Sequence, residues 1–155
     1  MKFSTNNITV IVVEDNDKME TLGIPSWMPS AVCDRSDADN YKAVVSVTSA
    51  FFKLSKASQD AFLTHECGHA ALGHLDLDIC QGVDLVVNEE LEAQADAWAV
   101  SVIGQDSFDA AIRECGELII KTINADTQTE MMISQDIQKR INLRNEWIER
   151  NNGIQ

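Results

Sequence analysis

The three histidines of this 155-residue chain lie within ten consecutive residues, at positions 65, 69 and 74. Two of them belong to the stretch 65–69, HECGH, which has the pattern H-E-x-x-H. Residues i and i+4 of an α-helix lie about 40° apart around its axis and one turn apart along it, so His65 and His69 could face one metal ion with Glu66 beside them. The motif therefore constrains the fold, because it requires a helix here and a second element that supplies another ligand.

The apolar spacing around the motif predicts such a helix. It runs from residue 56 to about residue 72, contains no proline, and is expected to begin after the N-cap Ser55 and to end at Gly73. A second helix is predicted over residues 88–102, with Leu91, Ala95, Trp98 and Val102 as its core face. Two more helices are predicted over residues 108–124 and 129–151.

The region before the motif predicts a small sheet. Residues 8–13 and 43–49 are rich in β-branched side chains and are predicted to be strands. Residues 14–40 hold both prolines and many Asp, Asn and Ser residues, so we expect them to be mostly loop. Strands followed by helices, with no repeat or linker, predict one α+β domain over residues 1–155.

Two histidines do not complete a catalytic zinc site, which takes three protein ligands and leaves a fourth position for water. Glu92 is the better candidate for the third ligand, because Asp96 lies one helical turn later and could accept the free N–H of a ligating imidazole. His74 is the alternative, but a continuing helix would turn it about 140° away from His69. We therefore expect His74 behind the ligands or at the helix terminus. Two alternatives stay open. In the first, Glu89 or Glu90 is the third ligand in place of Glu92. In the second, the acidic residues only form a solvent-exposed start of the helix.

Composition narrows the possible partners. The chain carries 25 acidic against 12 basic side chains, for a formal net charge of -13 at pH 7. This charge opposes binding to nucleic acid and to anionic membranes, both of which require clusters of Lys and Arg. No stretch reaches the roughly 18 apolar residues of a membrane span, and no signal peptide is evident. We therefore expect a soluble, cytoplasmic protein, with its four widely spaced cysteines as free thiols.

The residues from about 43 to 104 resemble the gluzincin metallopeptidases. The likeness consists of a strand, a Leu-Ser helix start at residues 54–55, the H-E-x-G-H motif, and the stretch 92–99, EAQADAWA, which is similar to E-x-x-A-D-x-(aromatic)-A. It is strongest to the group with the CAAX-prenyl proteases and heat-shock membrane proteases, and to the soluble ImmA/IrrE-type peptidases. The membrane spans of the first group have no counterpart here. The spacing of 23 residues from His69 to Glu92 is closer to thermolysin-like or ImmA-like enzymes.

The resemblance implies a zincin-like domain that binds one zinc ion per chain and hydrolyses peptide bonds. By position, it implies that the metal ligands are His65, His69 and Glu92. It implies that Glu66 is the general base and that Asp96 orients a ligating histidine. The implied partner is a peptide or protein substrate.

The resemblance further implies an edge strand and an oxyanion donor. The strand at residues 43–49 would be the edge to which an extended substrate adds its own backbone. Such enzymes usually supply the donor as Tyr, His or Arg beyond the third ligand, and no His or Tyr follows residue 92 here. The candidate donors are Tyr41, Arg113, Arg140 and Arg144. Because the donor is not evident, the alternative function is a catalytically weak or inactive pseudo-peptidase, acting as a zinc-stabilised regulatory or binding module.

Overall fold

A computed structural model describes residues 1–36, 41, 43–76 and 89–152, and over these ranges the chain is α+β. The strands are β1 (Lys2–Thr5), β2 (Ile8–Glu14), β3 (Ala31–Arg35) and β4 (Ala43–Val47). The α-helices are α1 (Asn16–Thr21), α2 (Lys56–Ala71), α3 (Glu89–Ile103), α4 (Gln105–Ile123) and α5 (Thr127–Asn152), and short 3-10 helices cover Ser49–Lys53 and His74–Asp76. No helix in these ranges combines the length and the apolar composition that crossing a membrane requires.

The four strands form one sheet in the order β1-β2-β4-β3. β1 and β2 are joined by a two-residue turn, in which Asn6 and Asn7 both have positive φ, as a type I′ turn requires. β4 runs parallel to β2 and antiparallel to β3, so it lies inside the sheet. The expectation that residues 43–49 form the edge strand is therefore wrong. β4 is paired on both sides and largely buried, and the edge strands of the sheet are β1 and β3.

The predicted elements are confirmed with small shifts of their ends. The predicted strands correspond to β2 and to β4, which ends at Val47, and the four predicted helices correspond to α2, α3, α4 and α5. Three elements, β1, α1 and β3, have no counterpart among the predicted ones, and the last two fall in the stretch predicted to be mostly loop. The start of the second predicted helix at Asn88 lies outside the described residues.

Helix α2 lies between the sheet and the other long helices. On one side Leu63 and Cys67 pack with residues of β2 and β4, and on the other side Ala61 packs with Phe108 of α4. The cap residue Ser55 accepts a hydrogen bond from the amide of Ser58, as expected for the start of this helix. Because both sides of α2 are covered, every residue from 63 to 69 is buried, and the H-E-x-x-H motif lies inside the protein.

Helix α3 approaches α2 closely because small residues meet between them. A Cβ atom on Gly68 would lie 3.2 Å from the backbone oxygen of Ala95 and 3.2 Å from Cε3 of Trp98. The buried residues of α3 are Ala93, Ala95, Asp96, Ala97 and Ala99. The predicted core face is confirmed at Ala95 and in part at Trp98, which packs against the core cluster, but the other buried positions of α3 were not predicted. The alanines turn towards the protein interior, and the larger Leu91, Trp98 and Val102 are only partly buried.

A buried ion pair joins α4 to α5 and carries a first prediction. Arg144 is fully buried, and its guanidinium contacts the carboxylate of Asp109. Removing one partner leaves an uncompensated buried charge, so Arg144→Ala should lower the free energy of unfolding by about 3–5 kcal/mol in urea denaturation. Arg113→Ala, at an exposed position of α4, is the matched control and should change it by less than about 0.5 kcal/mol. Equal effects of the two variants would contradict a structural role for the pair.

Candidate metal centre

The two imidazoles of the H-E-x-x-H motif converge on one point. His65 and His69 lie one turn apart on α2, and their Nε2 atoms are 3.1 Å apart. Both side chains are buried. Among the described residues, His65, Glu66 and His69 each place one potential ligand atom within 4.8 Å of the others. This buried group could hold a metal ion.

The carboxylate of Glu92 faces both imidazoles from α3. Its Oε2 lies 3.0 Å from Nε2 of His65, and its Oε1 lies 3.4 Å from Nε2 of His69. Glu66 belongs to the same buried group but is farther away, with Oε1 at 3.9 Å from Nε2 of His65. Glu92, and not Glu66, therefore completes the triangle with the two imidazoles. The alternatives lie outside it, since Glu89 pairs with Lys139 and Glu90 is exposed.

The spacing of these three side chains fits a divalent metal ion. Ligand atoms at about 2.0–2.2 Å from a tetrahedral zinc ion are separated from each other by about 3.3–3.6 Å. The two Nε2 atoms are 3.1 Å apart, Oε2 of Glu92 lies 3.0 Å from that of His65, and Oε1 of Glu92 lies 3.4 Å from that of His69, each within a few tenths of an ångström of that range. Two imidazoles and one carboxylate are also a donor set that zinc takes in catalytic sites.

Asp96 links His65 to a third helix. Its carboxylate is 1% exposed, and Oδ1 lies 2.7 Å from Nδ1 of His65. This oxygen lies off the direction of the ring N–H, so the pair makes a close ion-pair contact and not an aligned hydrogen bond. On its other side Asp96 accepts two hydrogen bonds of 2.8 Å from Nε and Nη2 of Arg140, on α5. Asp96 thus holds the His65 ring from behind, while Nε2 faces Glu92.

His74 holds the other imidazole from behind. The chain leaves α2 through Gly73, whose φ of 75° belongs to the left-handed region that glycine adopts without strain. This turn brings His74 back against α2, with its Nδ1 atom 2.8 Å from Nδ1 of His69. Its Nε2 atom lies 2.9 Å from Oε1 of Gln94 on α3. His74 therefore contacts His69 on the side away from Glu92.

Burial and mutual charge shift the pKa values at this site when no cation is bound. Burial opposes a charged His65, but Asp96 and Glu92 outweigh it and raise the pKa of this imidazole to about 10. Burial raises the pKa of Glu66 to about 8, although His65 counteracts it. The two imidazoles hold the pKa of Glu92 well below its usual range despite its burial. Burial lowers the pKa of His69, so this second imidazole is neutral at pH 7.

A cavity of about 180 Å³ opens beside this cluster. Glu66, Glu92 and Arg140 line it, together with Ala31 at the start of the edge strand β3. Of the four candidate oxyanion donors, Arg140 alone is among the described residues of its lining. The other three lie elsewhere: Tyr41 stacks against the ammonium group of Lys2, Arg144 pairs with Asp109, and Arg113 is exposed on α4.

The described cysteines are free thiols, as predicted, while Cys80 lies outside the described residues. Cys67, between the two histidines, is fully buried in the core and faces the sheet. Cys115 lines the cavity, and burial raises its pKa to about 11, so it is a neutral thiol at pH 7. Burial therefore keeps the thiols of Cys33, Cys67 and Cys115 neutral at pH 7.

Comparison with known proteins leaves the family open. No family model matches this chain, and no curated protein or solved structure matches it. The likeness to gluzincins thus depends on the residues of the two motifs, and a functional assignment depends on the geometry around His65, His69 and Glu92.

The charge of Asp96 should affect how tightly the site binds a metal ion. Asp96→Asn removes the charge that faces both His65 and Arg140, so we expect zinc affinity to fall about 10- to 100-fold, as it does for other partners of metal-bound histidines. Competition titration with a chelator measures it. Asp17→Asn removes one negative charge from an exposed position of α1, outside the cavities that Glu92 lines, and is the matched control, with an expected change below about threefold. Unchanged affinity in the Asp96 variant would contradict its role behind His65.

The raised pKa of His65 generates a third prediction. At pH 7 this imidazole carries a proton that a metal ion must displace, because its pKa is about 10 without a cation. His69 has a lowered pKa and is already neutral. Zinc binding at pH 7 should therefore release at least one proton per ion, measured by calorimetry in buffers of different ionisation enthalpy. Binding heats that do not depend on the buffer would contradict this assignment.

Proposed function

We propose that this chain is a zinc-dependent endopeptidase with a zincin-like catalytic centre. The observation that carries the proposal is the convergence of His65 Nε2, His69 Nε2 and the Glu92 carboxylate beside a buried Glu66 at one cavity. A zinc ion held by the first three residues would lower the pKa of a bound water towards 7 and polarise the scissile carbonyl. Hydrolysis of a peptide bond without a covalent intermediate is the reaction that this set of groups supports best.

Glu66 is the general base in this proposal. Its buried carboxylate follows His65 directly and lines the cavity where a scissile bond would lie. Without a cation, burial raises the pKa of Glu66 above the usual range of a carboxyl, and a raised pKa favours proton uptake by a general base. Glu66 would take the proton of the attacking water and deliver it to the leaving amine. Both transfers occur within one site, so the proton need not pass through bulk water.

The edge strand β3 offers a place for the substrate backbone. Ser30 accepts a hydrogen bond from the amide of Thr48, so the alternation of an antiparallel pair turns the backbone groups of Ala31 and Cys33 away from β4. Ala31 also lines the cavity with Glu66. An extended peptide added to this edge would run beside the metal ligands, and its main chain would supply affinity without a sequence requirement.

A second candidate function is a zinc-stabilised binding module that does not hydrolyse its partner. The observation that favours it concerns Arg140, the candidate oxyanion donor at the cavity. Nε and Nη2 of Arg140 each donate one N–H to Asp96, which leaves the two N–H groups of Nη1 and the second N–H of Nη2 as donors. Losing an oxyanion donor can cost about 2.7–4 kcal/mol of transition-state stabilisation, so a guanidinium held by Asp96 with these remaining groups poorly aimed would leave a slow enzyme.

Cleavage of an unfolded peptide library by the zinc-loaded protein distinguishes the two functions. We expect cleavage that disappears on chelation and returns with zinc. Glu66→Gln should retain one zinc per chain and lose at least about 100-fold in kcat, because proton transfer by a positioned side chain contributes that much or more. Glu117→Gln, at an exposed position of α4, is the control and should cleave as the wild type does. Zinc binding without any cleavage would favour the binding module, and absence of zinc binding would contradict both functions.

A further inference from the structure

A chain of three side chains leads from α3 to the second imidazole of the site. Oε1 of Gln94 lies 2.9 Å from Nε2 of His74, and Nδ1 of His74 lies 2.8 Å from Nδ1 of His69. His74 is 2% exposed, and its contact with His69 is buried. The hydrogen-bond contact of His74 with the site is to His69, and that of Gln94 is to His74. Their effect on the orientation of a ligand therefore passes through His69.

The direction of the hydrogen bonds along this chain determines which nitrogen of His69 carries a proton. The amide oxygen of Gln94 only accepts, so the proton of His74 must lie on Nε2. Nδ1 of a neutral His74 then accepts from Nδ1–H of His69. This leaves Nε2 of His69, which lies 3.1 Å from Nε2 of His65 and 3.4 Å from Oε1 of Glu92, with a lone pair and no proton. A metal ligand must have such a lone pair.

The opposite direction would disfavour ligation by Nε2 of His69. If the amide nitrogen of Gln94 donated to His74, the His74 proton would move to Nδ1 and would be donated to His69. The proton of His69 would then lie on Nε2, where a metal ion must bind. The two directions use the same three side chains at the same distances and differ in which atom of the Gln94 amide faces His74. Here that atom is the oxygen, Oε1, which corresponds to the first direction.

We propose that Gln94 and His74 are positioning residues that hold His69 in the Nδ1–H tautomer and so prepare its Nε2 atom for the metal ion. This inference rests on the proposed metal site but not on catalysis. The two ligands are then prepared by different chemistry, because His65 is held by the anionic Asp96 and His69 by a neutral chain. A neutral chain positions the ring without placing another negative charge behind it.

Ring nitrogen NMR tests this proposal directly, because the chain has three histidines and the spectrum holds three sets of ring signals. In the wild type, treated with a chelator at pH 7.5, we expect His69 to carry its proton on Nδ1 and His74 on Nε2. Gln94→Met removes the acceptor at nearly constant length, and should give a mixture of His69 tautomers and about 10- to 100-fold weaker zinc binding. Gln94→Glu keeps an acceptor, and should retain the tautomer and bind zinc at least as tightly as the wild type.

Gln138→Met is the matched control. It removes a side-chain hydrogen bond as well, the one that Gln138 donates to Asn142 on α5, and this bond involves no histidine. It should leave the tautomers and zinc affinity unchanged. The proposal is overturned if His69 of the wild type carries its proton on Nε2. It is also overturned if Gln94→Met only lowers the free energy of unfolding while the folded protein keeps the wild-type tautomer and affinity. The wild-type spectrum decides even if the variant does not fold.

These outcomes are separable from the proposed function, because no step depends on peptide cleavage. A wild type that binds no zinc would contradict the metal site, while its spectrum would still report the tautomer of His69. A wild type that binds zinc, with no effect of Gln94→Met on tautomer or affinity, would contradict the positioning role alone.

Discussion

The buried carboxylate of Asp96 holds three helices at one point. It comes from α3, contacts His65 of α2 and accepts two hydrogen bonds from Arg140 of α5. A buried anion alone would cost several kcal/mol, so its burial depends on both partners. Glu92 lies one turn before Asp96 on the same helix. Any arrangement that pairs Asp96 therefore also places Glu92 opposite the imidazoles, provided that α3 lies close to α2, which the contact at Gly68 allows.

The elements that could be predicted are those whose pattern is local. The run at residues 8–13 and the long helices carry their signal within the element, and all are present. β3 could not be predicted in this way, because its five residues follow two prolines and its stability comes from pairing with β4. β1 is a different case. Asn6 and Asn7 are a pair typical of a type I′ turn, and this signal before the apolar run would have indicated a hairpin.

In the candidate site, too, the residues that could be predicted are those that belong to a local pattern. His65, Glu66 and His69 could be predicted from one motif, and Glu92 and Asp96 from helical spacing within another. The contacts that support these residues from the side away from the site could not be predicted. Arg140 lies 44 residues after Asp96, and no periodicity connects the two. Gln94 lies two residues from Glu92 and about 200° around the helix, off the stripe that faces the metal site. Only the turn at Gly73, which returns His74 to α2, makes Gln94 relevant.

The charges at the site explain why its two imidazoles are supported differently. Glu66, Glu92 and Asp96 bring three carboxylates into a largely buried region, and Arg140 with one divalent cation would balance them completely. A carboxylate in place of the His74–Gln94 chain would leave one unit of negative charge uncompensated, in surroundings where screening by water is weak. A neutral donor–acceptor chain supplies the same orientation to His69 without that charge. Glu66, Glu92, Asp96 and Arg140 together contribute two of the 13 net negative charges of the chain, and one divalent cation would offset these two, so that the proposed metal centre itself is neutral.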